Sequence, residues 1–309
     1  IVSILPFVIF IYIIKNVSLN PGIGTKKLLF GKNEKRIPKD IPMYRDIPCN
    51  KDIFRAYWVA GNYSLMKRKT DFLGAILLKW LKEGKIKIEK IETGIFKKEQ
   101  NIVIFDQDFA FSNTLENDLY QMMFEASRDG KLEQNEFKDW CNTHYNKVLK
   151  WFDKVADQET EKLVEEGLID EKEVTTFKIF KSKVYNVHSS MLEEAKKMKG
   201  LKKFLEEFSQ IDKREAIEVT MWEEYLMYAQ IFGIADKVAK QFKKLYPYVI
   251  TDYSYDSVIF VHTISYSGMQ SASSAKSRAE SYSSGGGGFS SGGGGGGSFG
   301  GGGGGGGFR

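Results

Sequence analysis

GLKKFLEEFSQIDKREAIEVTMWEEYLMYAQIFGIADKVAKQF, from Gly200 to Phe242, is the most strongly patterned stretch of the chain. Leu201, Phe204, Leu205 and Phe208 recur at steps of three and four. So do Trp222, Tyr225, Leu226, Ala229, Phe232 and Gly233, and later Val238, Ala239 and Phe242. This spacing predicts helices. Between the stripes lies Ser209-Gln210-Ile211-Asp212, followed by Lys213-Arg214-Glu215, a polar break that offers caps for a new helix. The stretch therefore reads as a hairpin of two amphipathic helices, the second long or bent near Gly233. Aromatic side chains of this size bury about 150–250 Å² each, which makes the hairpin a core element. Gly233 and Ala235 are small enough to let a neighbouring helix approach. Glu223 and Glu224 stand about 100° apart around a helix, so a solvated face is expected rather than a convergent acid/base pair.

Lys202-Lys203-Phe204-Leu205 after Gly200, Trp222-Glu223-Glu224-Tyr225-Leu226-Met227-Tyr228-Ala229, and Phe232-Gly233-Ile234-Ala235-Asp236-Lys237 resemble the C-terminal region of the YciQ-like predicted membrane proteins, a bacterial family of unknown function. The resemblance is strongest from about Gly200 to Lys244 and from Asp46 to Ile88, and the Gly-rich end fits the same pattern. It implies an extracytoplasmic β-rich domain before residue 1, a cytoplasmic part after it, and no known activity. Many members place further membrane helices between the two matching regions; this sequence has no such apolar run.

The 309 residues leave room for one to three small domains, and 42% hydrophobic with 14% aromatic content supports real cores. A net charge of +5 permits attraction to anionic lipid or nucleic acid and demands neither. Two cysteines, Cys49 and Cys141, form no disulfide framework and fit a reducing compartment or indifference to one. His144, His188 and His262 lie far apart, and CxxC, HxxxH and HExxH spacings are absent, so no metal or cofactor is expected. Glu125 to Glu136 has the Gly and the final Glu of a calcium loop, but Glu replaces Asp at its first position and Arg128 intrudes among the carboxylates. An ordinary turn is the expectation there.

Taken in order, residues 1–15 read as the C-terminal part of a transmembrane helix, apolar through Ile14 except at Ser3 and Pro6. Fourteen residues reach only about 21 Å of a roughly 30 Å hydrocarbon core, so the apolar run is expected to begin before residue 1. Lys15, Lys26, Lys27, Lys32, Lys35, Arg36 and Lys39 outnumber Glu34 and Asp40 after it, which places the chain beyond about residue 15 on the cytoplasmic side. Residues 16–48 read as a linker punctuated by Pro21, Pro38, Pro42 and Pro48.

Residues 49–105 pattern as a winged-helix-like unit. Its first helix runs from Lys51 to Gly61. A second, capped by Thr70, buries Phe72, Leu73, Ile76, Leu77, Trp80 and Leu81 and ends at Glu83-Gly84. A β-hairpin follows, from Lys85 to Ile91 and from Ile102 to Phe105. Residues 106–187 form a second helical unit, also open to a winged-helix reading, with Ser112, Asn113 and Thr114 as cap candidates. One helical stripe runs through Leu132–Lys162, and a second wing is placed at Thr175–Val187; no clear sequence repeat connects the two units. Residues 188–246 hold the helical hairpin. Residues 247–284 connect it onward, with Ser257–Ser267 as a short strand or amphipathic turn. Residues 285–309 form a Gly-rich tail, which carries 18 of the 30 glycines and cannot build a core.

The fold class is thus mainly α with small β-hairpins (α+β), behind a membrane helix and ahead of a disordered tail. Between Lys67 and Lys98 ten basic residues face four acidic ones. This makes Lys67, Arg68, Lys69, Lys85, Lys87 and Lys90 the candidate contacts to an anionic surface or nucleic acid. No Arg lies in the second helix, where base readout most often uses Arg or Asn, so nucleic-acid binding is not favoured. No nucleophile, base and orienter share a recognisable spacing. The expectation is a non-enzymatic interaction or scaffold module with a protein partner at the bacterial membrane, the alternative being a membrane-tethered winged-helix regulator of nucleic acid.

Overall fold

Asp52 opens α1 (Ile53–Asn62): its carboxylate accepts hydrogen bonds from the backbone N–H groups of Phe54 (2.8 Å) and Arg55 (3.3 Å), donors that a helix start otherwise leaves unpaired. The computed structural model describes residues 22–93, 98–105, 111–176, 180–207, 221–245 and 255–284. The membrane segment expected at 1–15 and the Gly-rich tail at 285–309 lie outside the described residues. Within the described residues, no helix is long and apolar enough to cross a membrane.

α2 (Phe72–Lys82) begins one residue later than its sequence suggests. Lys69–Asp71 form a 3-10 turn, so Thr70 sits inside it and caps nothing. Every residue from Phe72 to Leu78 is buried, as is Trp80. α2 leads into the antiparallel strands β2 (Ile86–Thr93) and β3 (Lys98–Phe105), with Ile86 opposite Phe105. Asn113 caps α3 (Thr114–Ser127) through the Leu115 N–H at 2.9 Å. Asn113→Ala should cost about 1 kcal/mol in a urea melt. β4 (Lys131–Leu132) then pairs with β3 and completes a three-stranded sheet in the order β2-β3-β4.

α4 (Gln134–Thr143) and α5 (Tyr145–Glu165) are two helices that meet at His144, not one continuous stripe. His144 stacks on Trp140 at 4.4 Å between ring centroids. The calcium-loop look-alike spans the end of α3, β4 and the start of α4, and Glu136 uses its carboxylate to accept from the Glu133 N–H at 3.0 Å, a helix-start contact. α5 delivers a second hairpin, β5 (Ile169–Thr176) and β6 (Phe180–Val187). The wing read from Thr175 onward is only its return half.

The expected linker also contributes structure. β1 (Leu28–Phe30) pairs in parallel with β6, giving the sheet order β1-β6-β5. Thr25 donates its backbone N–H to Asp157 at 2.7 Å, and Lys26 pairs with Glu161 at 2.7 Å, which fastens this stretch to α5.

The two helix–helix–hairpin units share one junction. At Glu83-Gly84 the N–H groups of Glu83, Gly84 and Lys85 bond the carbonyls of Lys79, Leu81 and Trp80. At Glu166-Gly167 those of Glu166, Gly167 and Leu168 bond Lys162, Val164 and Leu163. Both glycines adopt left-handed backbone, φ 71° and 70°, and both stand in open space. The conformation alone therefore calls for Gly. Only the Lys four residues before the Glu, the Glu, the Gly and the first strand Ile are common to the two junctions, so the structural repeat leaves little trace in the sequence.

The C-terminal part departs most from expectation. α6 (Ser190–Glu207) is followed by α7 (Trp222–Phe232) and α8 (Ala235–Leu245), separate helices divided at Gly233, whose φ is 70°. Trp222 stacks on Phe242 across them. The connecting segment is itself α9 (Tyr255–Ser284), a 30-residue helix where a strand or turn is expected at Ser257–Ser267. α9 lies along α4 and packs on α2, α5 and α8. Val258, Val261, Ile264, Met269 and Ala272 are buried in the common core. A Cβ on Gly268 would stand 2.6 Å from the Phe137 ring, so Gly is what lets α9 and α4 approach this closely.

Candidate functional site

Three of the predicted basic residues, Lys67, Arg68 and Lys69, fall in and before the turn that starts α2. The other three, Lys85, Lys87 and Lys90, fall at or within β2. Four of the six are held by acidic partners in the same chain. Arg68 pairs with Asp71 (2.6 Å), Lys69 with Asp153 (2.7 Å), Lys85 with Glu83 (2.7 Å) and Lys90 with Asp256 (3.1 Å). Lys87 is exposed on β2, and Lys67 lies against Gly233. α2 itself is covered by α7 and α9. The helix assigned the reading role is thus part of the core and cannot enter a groove. Lys82, near its end, holds both Glu223 (3.0 Å) and Glu224 (2.9 Å). The adjacent acids do converge after all, on a lysine, because side chains this long can swing past the 100° between their Cα positions.

A polar cavity lies where the start of α2 meets α7 and α9. It measures about 160 Å³ and is lined by Asp71, Gln230, His262, Ser265 and Tyr266, with Arg68 and Met269 among its other walls. Asp71, Gln230 and Ser265 are only 9%, 2% and 5% exposed. Each carries an atom with no protein partner: Asp71 Oδ2, Gln230 Nε2 and Ser265 Oγ. These three atoms are sealed from solvent behind the cavity wall, and an unsatisfied buried polar group costs about 1–3 kcal/mol.

Glycines make room for two of these side chains. A Cβ on Gly233 would stand 2.7 Å from Asp71 Oδ2, and one on Gly74 would stand 2.7 Å from Gln230 Oε1. Arg68 grips the other Asp71 oxygen through Nε at 2.9 Å and lies over the Tyr266 ring at 4.4 Å, closing the rim. His262 Nδ1 and Gln230 Oε1 are 3.3 Å apart, so the ring nitrogen donates to the amide oxygen.

Burial raises the Asp71 pKa, against the pull of Arg68. It lowers that of His262, where Asp71 and Asp236 oppose the shift and Arg68 and Lys67 reinforce it. For His262 the folded value lies below the unfolded value of about 6.5. Its contribution to stability is therefore present above that pH and is lost as pH falls through the folded value. The melting temperature should drop less between about pH 7.5 and 5.5 in His262→Gln than in the parent.

Gln230 and Gly233 sit on the stretch whose pattern is strongest. Residues 179–242 match the family model described as the predicted membrane protein (DUF2207) C-terminal domain. The DUF2207 match covers β6, α6, α7 and most of α8, and leaves Asp71 and His262 on segments beyond it. It supports membrane association and carries no activity. No match is found among curated proteins or among solved structures.

Of the pocket residues, only Arg68 is among the sequence candidates. Gln230 had a visible signal, a lone amide inside the apolar run Leu226–Phe232. Asp71 reads from sequence as a helix-start carboxylate, and His262 and Ser265 lie on a helix that the sequence hides.

Proposed function

We propose that the chain is a non-enzymatic interaction module held at the inner face of a bacterial membrane, with residues after about 15 in the cytoplasm and a protein as its partner. The observation that carries this reading is the division of α9. Its first part closes the core. From Lys276 to Tyr282 every residue but Ala279 is exposed, and Tyr282 is 84% exposed. A solvent-facing aromatic at the end of a firmly seated helix is a ready anchor for a partner. The DUF2207 match agrees with membrane association, and the lysine-rich stretch after residue 14 agrees with the cytoplasmic side.

Ser265 Oγ receives no hydrogen bond, His262 is engaged with Gln230 and Asp71 with Arg68, so no relay from carboxylate through imidazole to hydroxyl is assembled. The nucleic-acid reading has less to stand on, since α2 is buried and most of the basic residues are internally paired. The test is photo-crosslinking in membranes of the full chain, from a probe at Tyr282 and from a control probe at Lys172 on β5, with nuclease in parallel. The expected result is a reproducible, nuclease-resistant protein adduct from position 282 alone. No adduct, or one lost to nuclease, overturns the reading.

A further inference from the structure

Building on the membrane reading above, we infer that the lysine face of α8 docks on the headgroups of an anionic lipid bilayer. Val238, Ala239 and Phe242 hold one side of α8 in the core. The other side exposes Lys237, Lys240, Lys243 and Lys244, and Asp236 is the one acid on the helix. The whole chain carries 45 basic and 40 acidic residues, so this is a local excess of positive charge. On neighbouring elements the lysines mostly meet carboxylates: Lys196 pairs with Glu193 and Lys197 with Glu194 on α6, and Lys183 with Glu171 across the second hairpin. On α8 only Lys240 has such a partner among the described residues, Asp236 at 2.8 Å. Lys237 donates to the Glu206 carbonyl at 2.8 Å, and Lys243 lies over the Tyr255 ring at 4.4 Å. Neither contact removes the charge.

Position narrows the occupant. The positive charge continues around the start of α8, where exposed Lys67 lies against Gly233 and Lys202 donates to the Leu65 carbonyl at 2.9 Å. Burial lowers the Lys202 pKa; Glu206 opposes the shift and Lys67 reinforces it. The chain enters the fold at this same end. Ile23 packs on Gly61 at the end of α1, close enough that a Cβ there would stand 2.6 Å from it. Only residues 16–21 separate Gly22 from the membrane segment expected at 1–15, a reach of at most about 25 Å. The end of α1, and with it Lys67 and the start of α8, is thereby kept near the leaflet. Lipid phosphates supply acceptors and negative charge to ammonium groups that carry donors alone. Each lysine near an anionic surface strengthens attachment about fivefold, so the four on α8 together give a few hundredfold.

The experiment is amine acylation of the full chain in lipid nanodiscs, read lysine by lysine by mass spectrometry. The discs are phosphatidylcholine alone or with about 30% phosphatidylglycerol, and Lys172 on β5 is the control. The expected result is modification of Lys237, Lys240, Lys243 and Lys244 slowed at least about threefold in the anionic discs, with Lys172 unchanged. About 0.5 M salt should restore the rates. In the double variant Lys240→Gln, Lys244→Gln, the protection of Lys237 and Lys243 should fall about twofold or more. Equal rates in the two lipids, or equal slowing at Lys172, overturn the proposal while leaving membrane association intact. So does duplex DNA, added to the phosphatidylcholine discs, if it protects these lysines more than anionic lipid does. A chain that enters neither disc overturns the membrane reading itself, and this surface with it.

Discussion

Glu116→Ala should destabilise the protein by about 3 kcal/mol. The Glu116 side chain is 6% exposed. Lys79 Nζ reaches both of its oxygens at 2.8 Å, and the indole N–H of Trp80 donates to Oε2 at 2.8 Å. Lys85 lies 3.9 Å away. Breaking a buried pair by removing one partner costs about 3–5 kcal/mol. The lower end applies because Lys79 and Lys85 both keep Glu83, at 3.1 and 2.7 Å. The indole N–H of the wholly buried Trp80, once Glu116 is gone, accounts for about 1–3 kcal/mol of that total. Glu116→Gln keeps an acceptor for the indole and should cost roughly half as much. The check is the urea midpoint at unchanged slope; a loss under about 1 kcal/mol for the alanine variant would show that the network is not buried as described.

Gly233→Val should cost about 3 kcal/mol for two separable reasons. At φ 70° a β-branched residue is strained whatever the space around it. In addition, its Cβ would stand 2.7 Å from Asp71 Oδ2 and 3.3 Å from Lys67 Cδ. Gly233→Asn separates the two, because Asn tolerates left-handed backbone but still meets the carboxylate. A cycle with Asp71→Ala should give a favourable coupling of about 0.5 kcal/mol or more with either substitution. Additive losses would mean that the backbone strain acts alone and the carboxylate moves aside freely.

These two sites show what the sequence carries and where it stops. Amphipathic periodicity was enough to read α2, α6 and α7, because large apolar residues at steps of three and four mark a buried face. The Glu83-Gly84 ending is equally plain, since a left-handed helix end selects Gly. α9 is different. Its inner face mixes Val258, Val261 and Ile264 with Gly268, Ala272 and Ala275, and serines crowd the rest. Small residues carry little periodic signal and serine weakens intrinsic helicity, so this helix depends on its seat along α4. The pocket was hidden for the same reason. Asp71, Gln230 and His262 are far apart in sequence, and only the placement of α9 across α2 and α7 brings them together.

The most direct measurement is hydrogen exchange along α9 in the full chain, purified and in native membranes. Amides from about Val258 to Ala275 should be strongly protected in both states, reflecting a helix segment that is part of the core. Those from Lys276 to Tyr282 should exchange quickly in the purified chain and slowly in membranes, where a partner covers them. Rapid exchange of the last turns in both states would contradict the interaction account, and rapid exchange along the whole of α9 would contradict the fold on which it rests.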